Sequence, residues 1–321
     1  MNELFSVMLN VISPIMLVMG FGYIIGKLYN PDPRSLSVYL IYLFTPALVF
    51  RGIYETELPT GDLLGVGVVV IGVALVMMVI GYGAARLLGY TARQESSLIL
   101  SIVLVNAANY GIPLNTFAFG QEGGNVAIVY YVISALVGNV LGVFFASRGS
   151  VSAREAILNV FKVPIMYAAI LGLILNMNDI ALPLVIERSV IDIAAPASIP
   201  LMLALLGLQL SRVSFKQDDS KNDDNSETLA TNFRALGITT ALRLLAAPVV
   251  AVGIALAVGL DGTTFNVSVM QSSMPTAVLA GALATQFGGD ARFVSAVTLV
   301  STLASIASLS ILILLLGGTI A

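Results

Sequence analysis

The chain has 321 residues, 58% of them hydrophobic and only 10% charged, and its mean hydropathy is +0.96. Soluble domains carry about 25% charged residues, so this composition indicates a polytopic membrane protein. The absence of Cys excludes disulfides and thiolate metal sites, and the absence of His removes the commonest metal ligand. The net charge is only −3. We expect a lipid bilayer and no nucleic acid as partner, and we assign no cofactor and no metal.

Ten apolar segments follow one another along the chain. A membrane-spanning helix needs about 20 predominantly apolar residues. The pattern therefore predicts an all-α polytopic membrane protein with ten transmembrane helices. The predicted spans are residues 4–26, 36–54, 63–88, 96–119, 124–147, 163–178, 189–211, 235–259, 265–287 and 292–317.

The positive side chains predict the orientation of these spans. Twelve of the fifteen Lys and Arg residues follow odd-numbered spans, two follow even-numbered spans, and Arg243 lies within span eight. Cytoplasmic loops carry an excess of Lys and Arg. We therefore expect a multi-pass protein of the plasma membrane with both termini extracytoplasmic.

Spans four and nine each contain a polar interruption. Residues 106–114 read NAANYGIPL and residues 271–276 read QSSMPT. Pro113 and Pro275 lack an N–H and clash with the preceding turn, while Gly111 lets the backbone leave helical geometry. In lipid such breaks occur only where protein or a water-filled cavity receives the freed backbone groups, and paired breaks in two halves of a chain point to a transporter site.

Proline motifs repeat along the chain and predict two inverted five-helix repeats. SPIM at residues 13–16 resembles VPIM at 163–166, TPA at 45–47 resembles APA at 195–197, and the two break prolines follow in the same order. Five spans per repeat force the second copy to enter from the opposite side. The predicted parts are a first repeat at 1–147, an interfacial linker helix at 148–162, and a second repeat at 163–321 that contains a disordered acidic cytoplasmic loop at 213–234.

The motif N-x-x-N-x-G-I-P-L in span four resembles the auxin efflux carrier family, which includes plant carriers and many prokaryotic permeases. The stretches MPTAVLAGALATQFGGD and VSAVTLVSTLASIASL are similar to that family's ninth and tenth spans. The resemblance implies a scaffold of spans one, two, six and seven that forms a homodimer. It also implies a transport domain of spans three to five and eight to ten, whose broken helices four and nine cross near the substrate. Family members carry auxin, malate, malonate or related carboxylates, and the family's crossover asparagine falls on Asn106.

The broken helices predict a site for an anion. Half-helix N-termini offer free N–H groups and a partial positive charge. The polar side chains that could bind a substrate are Asn106, Asn109, Ser272, Ser273 and Thr276. For Asn106 the alternative is an ordinary interhelical hydrogen bond, and for the hydroxyls it is packing. Tyr110 could stack on an aromatic substrate or simply pack.

Two charged residues lie inside predicted spans. Arg243 is about 12 Å into span eight, where it could pair with a substrate carboxylate or snorkel to the interface. Asp192 is a possible proton carrier in span seven, or a cap near the outer interface. Either H⁺ or Na⁺ could couple transport, since amide, hydroxyl and carbonyl oxygens near Asn106 and Gln271 could coordinate sodium.

Three classes of function follow. The first is a secondary active or facilitative transporter of small organic anions by elevator-type alternating access, with a sodium symporter of the bile-acid type as a variant. The second is a membrane sensor that binds the same ligand without flux. An enzyme is disfavoured, because the chain lacks His, Cys and the HExxH and GxSxG motifs.

Overall fold

The computed structural model describes residues 2–146, 164–213, 232–286 and 289–318. The predicted linker helix at 148–162, and most of the predicted acidic loop at 213–234, lie outside these ranges. Within them the protein is all helical, apart from one isolated bridge between Val105 and Thr276. This confirms the all-α class.

The helices lie close to the predicted spans. Their bounds are α1 Glu3–Tyr29, α2 Pro33–Tyr54, α3 Thr60–Leu87, α4 Ala92–Val103, α5 107–118, α6 121–146, α7 Pro164–Met177, α8 Leu184–Ser211, α9 Phe233–Ala257, α10 Gly262–Ser272, α11 Val278–Gln286 and α12 Ala291–Leu315. Helices α5 and α6 are separated at Phe119 and Gly120, and Gly120 has a φ of 68°, which favours glycine. Helices α4 with α5, and α10 with α11, correspond to predicted spans four and nine.

In the described ranges six helices are long and apolar enough to cross a membrane on their own. They are α1, α2, α3, α8, α9 and α12. Helix α7 is apolar but shorter. The chain is therefore a multi-pass membrane protein.

Wide π turns interrupt five of the described helices, and each ends two residues before a proline. A proline donates no hydrogen bond and its ring clashes with the carbonyl four residues earlier, so the preceding turn widens. The turns are Met8–Ile12, Leu40–Phe44, Ala107–Gly111, Glu187–Ala194 and Leu242–Ala246, and the prolines are Pro14, Pro46, Pro113, Pro196 and Pro248. These prolines thus set local widening, and this includes Pro113, because α5 continues through Gly111 and Pro113 and the first full break lies earlier, at residues 104–106. Pro275 lies within the second full break, between α10 and α11.

Glycines allow two pairs of helices to pack closely. Gly22 of α1 lies against the backbone of α8, and Gly207 of α8 lies against the backbone of α1. Gly172 of α7 lies against the backbone of α2 at Phe50. Small residues that let backbones approach are the usual basis of helix association in membranes. These contacts hold α1 to α8 and α2 to α7.

Candidate functional site

The two breaks lie against each other in the interior. The amide N–H of Asn106 donates to the carbonyl of Pro275 at 2.9 Å, and the amide N–H of Ala277 donates to the carbonyl of Leu104 at 2.9 Å. These bonds form a short antiparallel pairing between residues 104–106 and 275–277. Backbone groups released by one break are thus satisfied by the other, as a low-dielectric surrounding requires.

Arg243 supplies a buried cation at the same place. It lies in the wide turn of α9 and its side chain is 1% exposed. Its Nε donates to the carbonyl of Met274 at 2.9 Å, one terminal nitrogen donates to the carbonyl of Ile102 at 2.6 Å, and the other donates to the carbonyl of Ser272. These carbonyls belong to the C-terminal ends of α4 and α10, which carry the partial negative charge of each helix. Arg243 therefore does not snorkel to an interface, because it joins the two half-helix ends.

A cavity of about 560 Å³ adjoins the place where residues 104–106 and 275–277 pair, which we call the crossing. One wall is formed by the first turns of α5 and α11, and Asn106, Asn109, Val278 and Arg243 lie on it. Helix N-termini present free N–H groups and a partial positive charge, and the guanidinium of Arg243 offsets the partial negative charge of the two C-terminal ends that it binds. This wall is therefore electropositive and rich in hydrogen-bond donors.

The opposite wall of the cavity is mainly apolar. It is built from α2, α7 and α8, with further residues from α3 and α6. The lining side chains here include Leu40, Ile41, Ile165, Met166 and Leu205. A molecule with one anionic end and an apolar body would suit both walls.

Of the predicted site residues, the two amides of the first break face the cavity. Asn106 is 5% exposed, and its side-chain nitrogen has no hydrogen-bond partner among the described residues. Asn109 is half-buried and lines the same cavity. A buried amide donor without a partner is costly, so an acceptor that reached the Asn106 nitrogen would be stabilised there.

The polar residues of the second break have structural hydrogen bonds and do not line the cavity. The hydroxyl of Thr276 donates to the carbonyl of Ser101 at 2.7 Å, which ties α11 to α4. The hydroxyl of Ser273 donates to the carbonyl of Val269 at 2.6 Å within its own helix. Ser272 donates to Ser268, and its oxygen also lies 3.0 Å from the Tyr130 hydroxyl.

Gln271 connects the second break to two other helices. Its side-chain nitrogen donates to the carbonyls of Ala107, at 3.2 Å, and Ala127, at 3.1 Å. Its side-chain oxygen lies against Gly111, where any larger residue would collide with it. Gly111 is thus needed for close packing of the breaks. The Gln271 oxygen has no hydrogen-bond partner within the described ranges.

Two predicted residues lie away from the cavity. Tyr110 is fully buried in an apolar cluster that includes Ile15, Leu309 and Ile313, which fits the packing alternative. Asp192 is exposed in the wide turn Glu187–Ala194 of α8. Neither side chain is brought together with the donors at the crossing.

Several lining residues were not predicted as site residues. Tyr130, Tyr131 and Ser134 come from α6, and Gln209 comes from α8. None lies near a helix break in the sequence, so no local signal marks them. A polar residue in the middle of an apolar span is the one feature that could have drawn attention to Ser134.

A cavity beside two helix breaks that lie against each other, within an apolar helical protein, is typical of a membrane transporter. A family model described as membrane transport protein matches residues 7–155 and 149–313. The chain therefore belongs to this family of auxin efflux carrier-like transporters, which confirms the resemblance seen in the sequence.

Two archaeal proteins are similar over almost their full length. An uncharacterized transporter from Methanothermobacter thermautotrophicus is 28% identical over 303 residues, which cover 93% of this chain and 95% of the relative. An uncharacterized transporter from Methanocaldococcus jannaschii is 25% identical over 314 residues, which cover 95% of each. These names agree with a transporter and carry no information on substrate.

Proposed function

We propose that this transporter carries small organic anions, carboxylates in particular, by secondary active or facilitative transport. The observation that supports this most strongly is the electropositive wall of the cavity. There the N-terminal turns of α5 and α11, the guanidinium of Arg243 and the unpartnered nitrogen of Asn106 lie together. A carboxylate in this cavity would exchange water for fixed donors, which offsets the cost of desolvating its charge.

The helix packing supports two inverted five-helix repeats with crossover helices. If the two repeats are exchanged, span one becomes span six and span seven becomes span two. The pair of spans one and seven therefore corresponds to the pair of spans six and two. Both pairs are packed closely in the structure, α1 along α8 and α2 along α7. The same exchange relates the two breaks, which meet at the crossing.

An elevator-type movement is supported by the position of the cavity. It lies between α2, α7 and α8, from the proposed scaffold, and α3 to α6, α9 and α11, from the proposed transport domain. Movement of one body past the other would carry the crossing, and a ligand bound to it, across the membrane. We further propose that the scaffold helices form a homodimer.

We further propose that the structure represents the inward-facing state of the transporter. Beyond the crossing, the lining residues Ser37, Met166 and Gln209 lie near the ends of α2, α7 and α8 that adjoin the basic loops. Excess positive charge marks cytoplasmic loops. On this orientation both termini are extracytoplasmic, as the sequence predicts.

Sodium coupling is the second candidate, and the unpartnered oxygen of Gln271 favours it. Against it, the guanidinium of Arg243 already binds three carbonyls of the breaks, the type of group that coordinates Na⁺ in broken-helix transporters. Ligand-induced stabilisation measured in NaCl and in KCl separates the two. Stabilisation that requires Na⁺ would support a symporter.

The test of the main proposal is uptake of carboxylates into proteoliposomes, with thermal stabilisation measured on the same protein. We expect Asn106→Ala to lower both the uptake rate and the carboxylate affinity obtained from thermal stabilisation by at least about tenfold, because it removes a donor to the anion. Asn178→Ala is the matched control, since Asn178 is exposed at the end of α7. Stabilisation without uptake would identify a sensor, and normal uptake by Asn106→Ala would show that the site is wrongly placed.

A further inference from the structure

Arg243 places a charge in the middle of a membrane-spanning helix. It lies between the start of α9 at Phe233 and its end at Ala257, and its side chain is 1% exposed. The proposed transport domain comprises α3 to α6 and α9 to α12. Among its described residues, every other charged side chain lies within a turn or so of a helix end. A change in membrane potential therefore acts on Arg243 more than on the other charges of this domain.

The charge of Arg243 has no counter-ion among the described residues. In these parts of the chain the one ion pair joins Arg51 to Glu55, and the Arg243 side chain donates to backbone carbonyls instead. An arginine side chain stays protonated in proteins. The carbonyls contribute the partial negative charge of helix ends, but a whole helix dipole carries no net charge. The empty crossing therefore carries one unit of positive charge.

The hydrogen bonds of Arg243 attach this charge to the crossing. Its three acceptors are the carbonyls of Ile102, at the end of α4, and of Ser272 and Met274, at the end of α10. None of these bonds reaches α1, α2, α7 or α8, which form the proposed scaffold. In the elevator-type movement proposed above, the guanidinium travels with the crossing and is displaced along the electric field of the membrane.

We propose that Arg243 makes movement of the empty crossing sensitive to the membrane potential, and that a bound monocarboxylate removes this sensitivity. The inference rests on the proposed function, because it uses the elevator-type movement and an anionic substrate. The empty crossing moves one positive charge, whereas in the loaded crossing the two charges cancel. Moving one elementary charge through 100 mV changes an equilibrium by at most about fiftyfold. A negative interior therefore holds the empty crossing in the inward-facing state.

The first test needs no ligand. Voltage steps are applied to a planar bilayer that contains the purified full chain, and the transient charge movement is recorded. We expect the distribution between the two states of the wild-type protein to shift at least about threefold per 100 mV. Arg243→Gln should reduce the charge moved per protein at least about fivefold, because it removes the displaced charge. Arg234→Gln is the control and should leave it unchanged, since Arg234 is exposed near the start of the same helix.

A second variant neutralises the charge without removing Arg243. Asn106→Asp places a carboxylate on the same wall of the cavity and keeps the guanidinium as donor to its three carbonyls. A carboxylate beside a cation stays ionised. We therefore expect Asn106→Asp to reduce the ligand-free charge movement at least about fivefold as well. This variant decides if Arg243→Gln does not fold.

The last test adds the monocarboxylate auxin at a concentration that saturates its thermal stabilisation. Auxin should suppress the charge movement of the wild-type protein and create one in Arg243→Gln, whose loaded crossing carries a negative charge. A locked variant would move charge in neither condition. If auxin does not bind, the ligand-free measurement decides.

Two outcomes would overturn the inference. One is a charge movement that persists at full size in Arg243→Gln and Asn106→Asp. The other is no charge movement in a wild-type protein that takes up carboxylates, which leaves the proposed function standing. Charge movement without uptake of any carboxylate would support a potential-sensitive crossing and count against the proposed function.

Discussion

Replacement of Arg243 by Met should destabilise the crossing of the breaks. The substitution leaves the carbonyls of Ile102, Ser272 and Met274 without their donor. A hydrogen bond from a charged group contributes about 1.5–3 kcal/mol, so three bonds set an upper bound of about 9 kcal/mol. Loss of a buried charge removes a desolvation penalty, which offsets part of this loss. We therefore expect a net loss of about 3 kcal/mol in the free energy of unfolding.

The assay is chemical denaturation of the purified protein in detergent, monitored by circular dichroism because the chain has no tryptophan. Arg234→Met is the matched control, because Arg234 is on the same helix and exposed, and its removal should change stability by less than about 0.5 kcal/mol. Added methylguanidinium should partly restore Arg243→Met and leave the control unchanged. If the two variants unfold at the same denaturant concentration, Arg243 does not hold the half-helix ends together.

Three further predictions follow from the geometry of the site. Gly111→Ala should cost about 1–3 kcal/mol, because the new methyl group collides with the side-chain oxygen of Gln271; Gly253→Ala, which meets open space in α9, should be neutral or slightly stabilising in the same denaturation assay. Tyr110→Phe should leave carboxylate affinity unchanged, since the ring is buried away from the cavity; a tenfold loss in a binding titration would place it in the site. Asn106→Asp should weaken carboxylate binding more than Asn106→Ala does, because it adds a negative charge beside the anion; equal affinities would argue against an anionic ligand.

The positions of the helices and breaks could be predicted because the responsible signals are local. Apolar runs mark the helices, and Pro275 marks the second break through its own covalent structure. Pro113 indicates an irregular span four, but the break itself lies at residues 104–106 and Pro113 only widens the first turn of α5. The meeting of the two breaks was predicted from the family resemblance, which implies that the broken helices four and nine cross near the substrate. Asn106 was identified for the same reason.

The contacts of Arg243 and the place of Gln209 on the cavity wall depend on the tertiary structure and could not be predicted. The sequence gives the depth of Arg243 in its span but not the direction of its side chain, so partners on α4 and α10 were invisible. Gln209 is close to a helix end, where a polar side chain is usually solvated. Tyr110 is next to Asn109 in the sequence, yet it lies in the apolar cluster while Asn109 lines the cavity, because neighbouring residues of a helix point in different directions.

The wide turns also determine which way the rest of each helix faces. A regular α-helix rotates by about 100° per residue, and a wide turn contains one additional residue. In α9, residues after Ala246 are therefore rotated by about that angle from a helical wheel drawn from Phe233. The chain has no native Cys, so single cysteines along α9 can be labelled without background. Their accessibility to a thiol reagent should shift phase by one position across the turn Leu242–Ala246, which makes the turn measurable in the intact membrane.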